Sequence, residues 1–255
     1  MKEGKKTSVS YFNYNPFPLG WIPKELQRPE LEQVRELGYD YRDPRNLVTM
    51  FEDKVAEFAG APYAVAVDCC THGLFLAMRY LWEKIPDIRD TAVFIPQHTY
   101  TSVPMAVRQA GFNPHFRFVE WSGMYRLEPL GIWDAAVRWK RDMYKECGGG
   151  VMVLSFQIKK RIPIGRGGMI LLDCKKQAEW LRLASYDGRD LTCSYHLPWH
   201  VRMEGWHYYM TPEDAARGLI LMDKITDEGD SGDWQSYPNL LDYDFFKHPD
   251  KETPK

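Results

Sequence analysis

The chain has 255 residues, 44% of them hydrophobic, and a formal net charge of -2. This is enough apolar material for one large domain or two small ones, and the near-neutral charge gives no global footprint for nucleic acid or an anionic membrane. A small-molecule or protein partner is expected instead. No segment approaches a membrane span, and "MKEGKKTSVSYFNY" lacks the apolar core of a signal peptide, so a cytoplasmic location is the default expectation. The cysteines, Cys69, Cys70, Cys147, Cys174 and Cys193, are odd in number and show no CxxC spacing, which suggests reduced thiols rather than a disulfide framework or a zinc site.

Residues 1–45 mix proline, aromatic and charged residues without clear period and read as an N-terminal arm or lead-in. Order begins near Asn46, where "NLVTMFEDKVAEFAG" places Phe51, Val55 and Phe58 on one helical face and stops at Gly60. A strand at Tyr63 to Val67 and a helix from about His72 follow. "AVFIP" is a second strand, "QHTYTSVPMAVRQAG" turns helical and ends at Gly111, "FNPHFRFVE" is a third strand, and Leu130 to Trp133 a short fourth. Val151 to Leu154 read as a buried strand closed by Ser155, and Gly165, Gly167 and Gly168 open a further apolar run, Met169 to Leu172. "CKKQAEWLRLASYDG" is an amphipathic helix, and "TPEDAARGLILMDKI" another, with Thr211 as N-cap and Pro212 in its first position. Residues 46–225 are thus expected to form an α/β domain, a three-layer αβα arrangement around a mainly parallel sheet. Residues 226–255 are acidic and turn-rich and read as a loose tail.

Strand ends are where open α/β folds keep their chemistry. "DCCTHG" follows the first strand; Thr71 and the next helix's N–H groups can receive a phosphate, or the turn can be a plain cap. "PQHTYTS" puts His98 and Tyr100 at a second strand end, where the tyrosine ring can stack on a planar ligand or fill the core. "GIWDAAV" ends a third with Asp134, a carboxylate that can serve a ligand or cap a helix. "SFQIKKRIPIGRGG" holds the adjacent lysines Lys159 and Lys160 between two apolar runs; on this stretch alone a β-hairpin with solvated lysines is the plainer reading. His196, His200 and His207 match no standard metal spacing, and no metal is expected there.

From about Phe51 to Ile225 these pieces, taken in order, resemble the DegT/DnrJ-type sugar aminotransferases, pyridoxal-phosphate enzymes of fold type I. "FEDKVAEFAGAPYAVAVDCCTHGLFLAM" is similar to the family's opening segment, "PQHTY" to its aromatic-bearing "P.FT[FYW]", "WDAAV" to "EDAAQ", and "SFQIKKRIPIGRGG" aligns without gaps to "SFHATKNLTTGEGG". The resemblance implies pyridoxal 5'-phosphate as cofactor, with Lys160 in the place of the Schiff-base lysine and Lys159 without such a role. It implies that Asp134 faces the pyridine nitrogen, that Tyr100 stacks on the ring, and that Cys70, Thr71 and Ser155 hold the phosphate. "GWHYYMT" resembles "GYNYRMT", so His207 stands where the family's asparagine reaches the phosphate of the neighbouring subunit, which implies a homodimer. The implied reaction transfers an amino group to a keto sugar nucleotide.

The chain also departs from the family. Between Glu120 and Asp134 the family has a further strand, helix and strand unit where this chain has only "WSGMYRLEPLGI", and where the family continues into a small domain after its last helix, only the acidic tail is expected here. Val137 replaces a glutamine that flanks the ring, Arg166 the glutamate of "GEGG", and Cys70 a glycine. A non-catalytic protein that keeps the fold for binding or assembly is the alternative. Retention of Lys160 with Asp134 speaks against it, and lysine rather than histidine at 160 speaks against a deoxysugar dehydratase.

Overall fold

The computed structural model describes residues 6–7, 28–194 and 196–247. Its strands are β1 (Lys6–Thr7), β2 (Tyr39–Asp40), β3 (Tyr63–Val67), β4 (Ala92–Pro96), β5 (Asn113–Arg117), β6 (Tyr125–Leu127), β7 (Ile132–Asp134), β8 (Val151–Ser155) and β9 (Gly168–Leu172). Its α-helices are α1 (Glu30–Glu36), α2 (Asn46–Ala59), α3 (Cys70–Lys84), α4 (Ser102–Gln109), α5 (Lys175–Ser185), α6 (Pro212–Lys224) and α7 (Asp244–Lys247).

Strand alternation sorts the core into two halves. Val65, Val67, Val151, Val153, Ile170 and Leu172 face one side of the sheet, where they pack with Leu74, Met78 and Leu181 of α3 and α5. Ala64, Ala66, Met152, Leu154, Met169 and Leu171 face the other, against Leu47, Phe51 and Val55 of α2 and Leu219 of α6. Strands β3, β8 and β9 are therefore buried on both faces, which is why they read as continuous apolar runs. Each fully buried side chain such as Phe51 or Leu154 contributes about 1.5–3 kcal/mol relative to exposure. The three-layer αβα expectation holds. Two helix-end expectations hold as well: α2 ends at Gly60, whose φ of 72° is left-handed, and Thr211 Oγ1 accepts the Asp214 N–H at 3.2 Å to cap α6.

The sheet is mixed rather than mainly parallel in its pairings. Its order is β3-β9-β8-β7-β6, in which β7 and β8 are parallel and the other pairs antiparallel; β4 and β5 form a separate parallel pair. Phe94 and Glu128 join the two through antiparallel backbone hydrogen bonds of 2.8 and 3.1 Å. Through that bridge β3, β4, β5, β7 and β8 run in one direction, and only β6 and β9 run against them. The reason for β6 is covalent: a parallel return needs a crossover of about a dozen residues or more, whereas a reversed strand needs only a turn. Residues 118–131 leave no length for a strand and a helix, so the gap between β7 and β4 is filled by a short hairpin arm.

Two further segments differ from expectation. The lead-in contains helix α1, which lies on α6 with Val34 buried and Glu30 paired to Arg217 at 3.5 Å; residues 8–27 of the expected arm lie outside the described residues. Residues 226–247 are no loose tail. Gly229 and Ser231 N–H groups donate to the carbonyls of Trp139 and Val137 (both 2.7 Å), Trp234 to Trp121 (3.0 Å) and Leu240 to Gln97 (2.8 Å). Leu240 is fully buried, and Phe246 packs edge-on against Phe116. Acidic composition hid this attachment because the anchoring is by backbone and aromatic contacts to distant segments.

The start of α3 is fixed against β9 by close backbone approach. A Cβ on Gly168 would lie 2.6–2.9 Å from the backbone of Cys69 and Cys70, which cannot withdraw as a flexible side chain can. Gly168→Ala is expected to lower the unfolding free energy by about 1–3 kcal/mol in urea denaturation, with an unchanged m-value.

Candidate functional site

The C-terminal ends of β3, β4, β7 and β8 open onto one cavity of about 590 Å³. Cys70 and Thr71 line it from the start of α3, Tyr100 from the β4–α4 turn, Asp134 from the end of β7, and Ser155 and Lys160 from β8 and the loop after it. Six of the seven residues singled out in the sequence thus meet in one place, although they come from segments far apart in the chain. This is where co-directional strands of an open sheet converge their ends.

Asp134 is buried, at 6% exposure. Its Oδ1 accepts the Ala136 N–H at 3.0 Å and its Oδ2 the Tyr125 hydroxyl at 2.6 Å, with Cys70 Sγ 4.0 Å from Oδ1. Burial pushes the carboxyl above its ordinary range, while these two donors and the positive charge of Lys160 hold it down. Burial likewise pushes the Lys160 amine below the usual lysine value, opposed by Asp134. The Cys70 thiol is driven well up by burial and by Asp134, which leaves it a neutral neighbour.

The loop that carries the lysines is shaped by Gln157, whose carbonyl accepts the Lys160 N–H (2.8 Å) and whose Oε1 accepts the Lys159 N–H (2.9 Å). Both lysines line the cavity, but Lys159 is exposed and Lys160 half-buried. The plainer reading of two solvated lysines therefore fails for Lys160. Tyr100 is 61% exposed, a free aromatic face at the cavity rather than core packing. Thr71 Oγ1 and Ser102 Oγ lie 2.7 Å apart, two hydroxyls beside the α3 N-terminus, and Ser155 Oγ accepts the Gln157 N–H at 3.4 Å.

His207 stands apart. Its Nδ1 lies 3.0 Å from Asp187, its side chain is largely exposed, and it does not line the cavity of its own chain. The sequence reading also missed residues. Tyr125 and Thr99 buttress Asp134, Trp121 closes one wall, and Ser231, Gly232, Ser236 and Tyr237 add a wall from the C-terminal segment. Burial and the neighbouring Asp134, Cys70 and Tyr100 push the Tyr237 hydroxyl up to about 12. Tyr125 and Leu127 are buried on either side of the exposed Arg126, but three residues are too few to signal this from sequence.

At the cavity rim Asp68, Cys69 and His72 bring an oxygen, a sulfur and a nitrogen within 4.8 Å of one another. An ion-pair network accounts for them. His72 Nδ1 lies 2.6 Å from Asp68 Oδ1, Arg166 reaches the other Asp68 oxygen at 2.7 Å, and the His72 ring stacks on Tyr208. Burial disfavours the imidazolium, yet the hydrogen bonds to Asp68 and Cys69 outweigh it and raise the histidine from 6.5 to about 9. A raised value means that folding favours the protonated form. The resulting stabilisation, on the order of 3 kcal/mol, is fully present below pH 6.5 and is lost as pH rises through about 9. His72→Asn is expected to flatten the fall in unfolding free energy across that window.

Residues 26–124 match the DegT/DnrJ/EryC1/StrS aminotransferase family. Over those residues the chain is similar to these aminotransferases. The spore coat polysaccharide biosynthesis protein SpsC of Bacillus subtilis (strain 168) is 26% identical over 263 residues, covering 84% of this chain and 65% of SpsC. The chain thus spans less than two thirds of that relative's length. Among solved structures, the sugar aminotransferase CalS13 from Micromonospora echinospora superposes with a TM-score of 0.58 at 18% identity, covering 77% of this chain and 64% of CalS13. Helicobacter pylori PseC, an aminotransferase involved in the biosynthesis of pseudoaminic acid, gives 0.59 at 16% identity, covering 78% and 64%. At these identities the likeness is one of fold alone, and it agrees with the expected fold type I architecture. Among the described residues no helix is long and apolar enough to cross a membrane.

Proposed function

We propose that the chain is a pyridoxal-phosphate-dependent aminotransferase that moves an amino group from an amino-acid donor to a keto sugar nucleotide. The observation that carries this reading is the placement of the half-buried Lys160 amine and the buried Asp134 carboxylate on one cavity, from two different strand ends. The donor set fits the cofactor: an amine, a carboxylate, an aromatic face and a group of hydroxyls at a helix N-terminus answer its aldehyde, ring nitrogen, ring plane and phosphate. Bound pyridoxal phosphate supplies an electron sink for the carbanion formed when a substrate C–H proton is removed.

The chain's residues have separable tasks. Lys160 would hold the cofactor and, once released, accept and return the substrate proton; burial favours its neutral, proton-accepting form. Asp134 would keep a proton on the ring nitrogen, Tyr100 would cover the ring, and Thr71, Ser155 and the N–H groups at Cys70 would hold the phosphate. Ser231, Ser236 and Tyr237 form one wall of the cavity. The names of the relatives, sugar aminotransferases and a polysaccharide biosynthesis protein, favour a sugar acceptor. A homodimer is part of the proposal, with the exposed His207 offered to the phosphate of a second copy.

Protein loaded with pyridoxal phosphate and mixed with L-glutamate in the absence of acceptor should release stoichiometric 2-oxoglutarate and lose its visible absorption band. A keto sugar nucleotide should then restore the band. Absence of 2-oxoglutarate with glutamate, glutamine and the other common amino acids would contradict a transaminase.

A further inference from the structure

We propose that Tyr125, supported by Thr99, is the positioning residue that keeps Asp134 ionised and aimed into the cavity. The inference rests on the reading of the cavity as a cofactor site and adds a residue from β6, the arm that fills the gap between β7 and β4. Three buried groups stand in line: Thr99 Oγ1 is 2.5 Å from the Tyr125 hydroxyl, which donates to Asp134 Oδ2 at 2.6 Å. Tyr125 has one proton and gives it to the carboxylate, so Thr99 must donate to the tyrosine oxygen. A chain of donors ending on a carboxylate polarises link by link and stabilises the charge at its end.

That charge needs support because its surroundings offer little. Facing Asp134 are the neutral Cys70 thiol from α3, Lys160 from the loop after β8, the Ala136 N–H and Tyr237 from the C-terminal segment. Lys160 is the only cation among these groups, and the proposed reaction ties up and releases its amine. The Ala136 N–H is on Oδ1, so Oδ2 depends on Tyr125 for its donor. Tyr125 is in turn held by ring contact with Trp121, 4.9 Å between centroids, and by pairing of β6 with β7 in the register Tyr125 to Asp134. The strand that repairs the sheet is therefore also the one that places a hydroxyl on Asp134.

The test reads the carboxylate itself, by carbon-13 NMR of aspartate-labelled, cofactor-free protein titrated with acid, comparing wild type, Tyr125→Phe and Thr99→Val. Asp134→Asn assigns the resonance. Tyr125→Phe should raise the Asp134 midpoint by about one unit or more, and Thr99→Val should move it in the same direction by less. After loading with pyridoxal phosphate, Tyr125→Phe should keep the visible band but slow the glutamate half-reaction. An unmoved midpoint in both variants, with a normal band, would overturn this proposal alone. A wild type that forms no band removes the functional reading and this proposal together. Thr99→Val lies further from the carboxylate and keeps the test open should Tyr125→Phe fail to fold.

Discussion

Lys160→Ala, purified with pyridoxal phosphate, should show no visible absorption band, while Lys159→Ala shows the band of wild type. The two residues are neighbours, carry the same side chain and line the same cavity, so the pair controls for charge, composition and loop position. They differ in environment: Lys160 is half-buried and its amine is pulled down by desolvation against the attraction of Asp134, whereas Lys159 is exposed. Only an amine that is neutral part of the time is a nucleophile toward an aldehyde. Loss of the band in both variants would mean that general electrostatics, not one lysine, holds the cofactor.

Asp134→Asn should retain measurable cofactor binding yet slow the half-reaction with glutamate by on the order of 10³-fold, as loss of a preorganised charge at a reacting centre does. The substitution keeps shape: the amide oxygen can accept the Ala136 N–H, and the amide NH2 can donate to the Tyr125 oxygen, whose own proton can turn to Thr99. What it removes is the negative charge that would keep a ring nitrogen protonated. Since Asp134 also bonds the backbone two residues on, a purely capping role would instead show as lost stability with unchanged turnover. Single-turnover absorbance measurements separate the two outcomes.

Much of this was legible in the sequence because it rests on short-range pattern. Val151 to Ser155 and Gly168 to Leu172 are apolar runs bounded by polar or glycine residues, and α6 announces itself by Thr211 and Pro212. The site residues were legible for a related reason: each sits at the end of a recognisable strand. The resemblance to a known family then chose Lys160 over Lys159, which local pattern could not do. What stayed hidden depends on distant partners. β6 has only the residues "YRL", too short to show a period, and its direction follows from the missing crossover. Tyr125 gains its role only when β6 lies beside β7. The C-terminal segment is polar and glycine-bearing, and nothing local says that Trp234 and Leu240 are tied to residues more than a hundred positions earlier. His207 was placed by motif, and the structure leaves it at the surface beside Asp187.

The central claim is that Lys160 and Asp134 share a cavity that binds pyridoxal phosphate covalently through Lys160. Borohydride reduction of the loaded protein, followed by peptide mass spectrometry, tests it most directly, because reduction fixes the cofactor to whichever amine holds it. The account predicts one modified residue, Lys160, with modification preserved in Asp134→Asn and lost in Lys160→Ala. A label on Lys159, a label scattered over surface lysines, or none at all would contradict it.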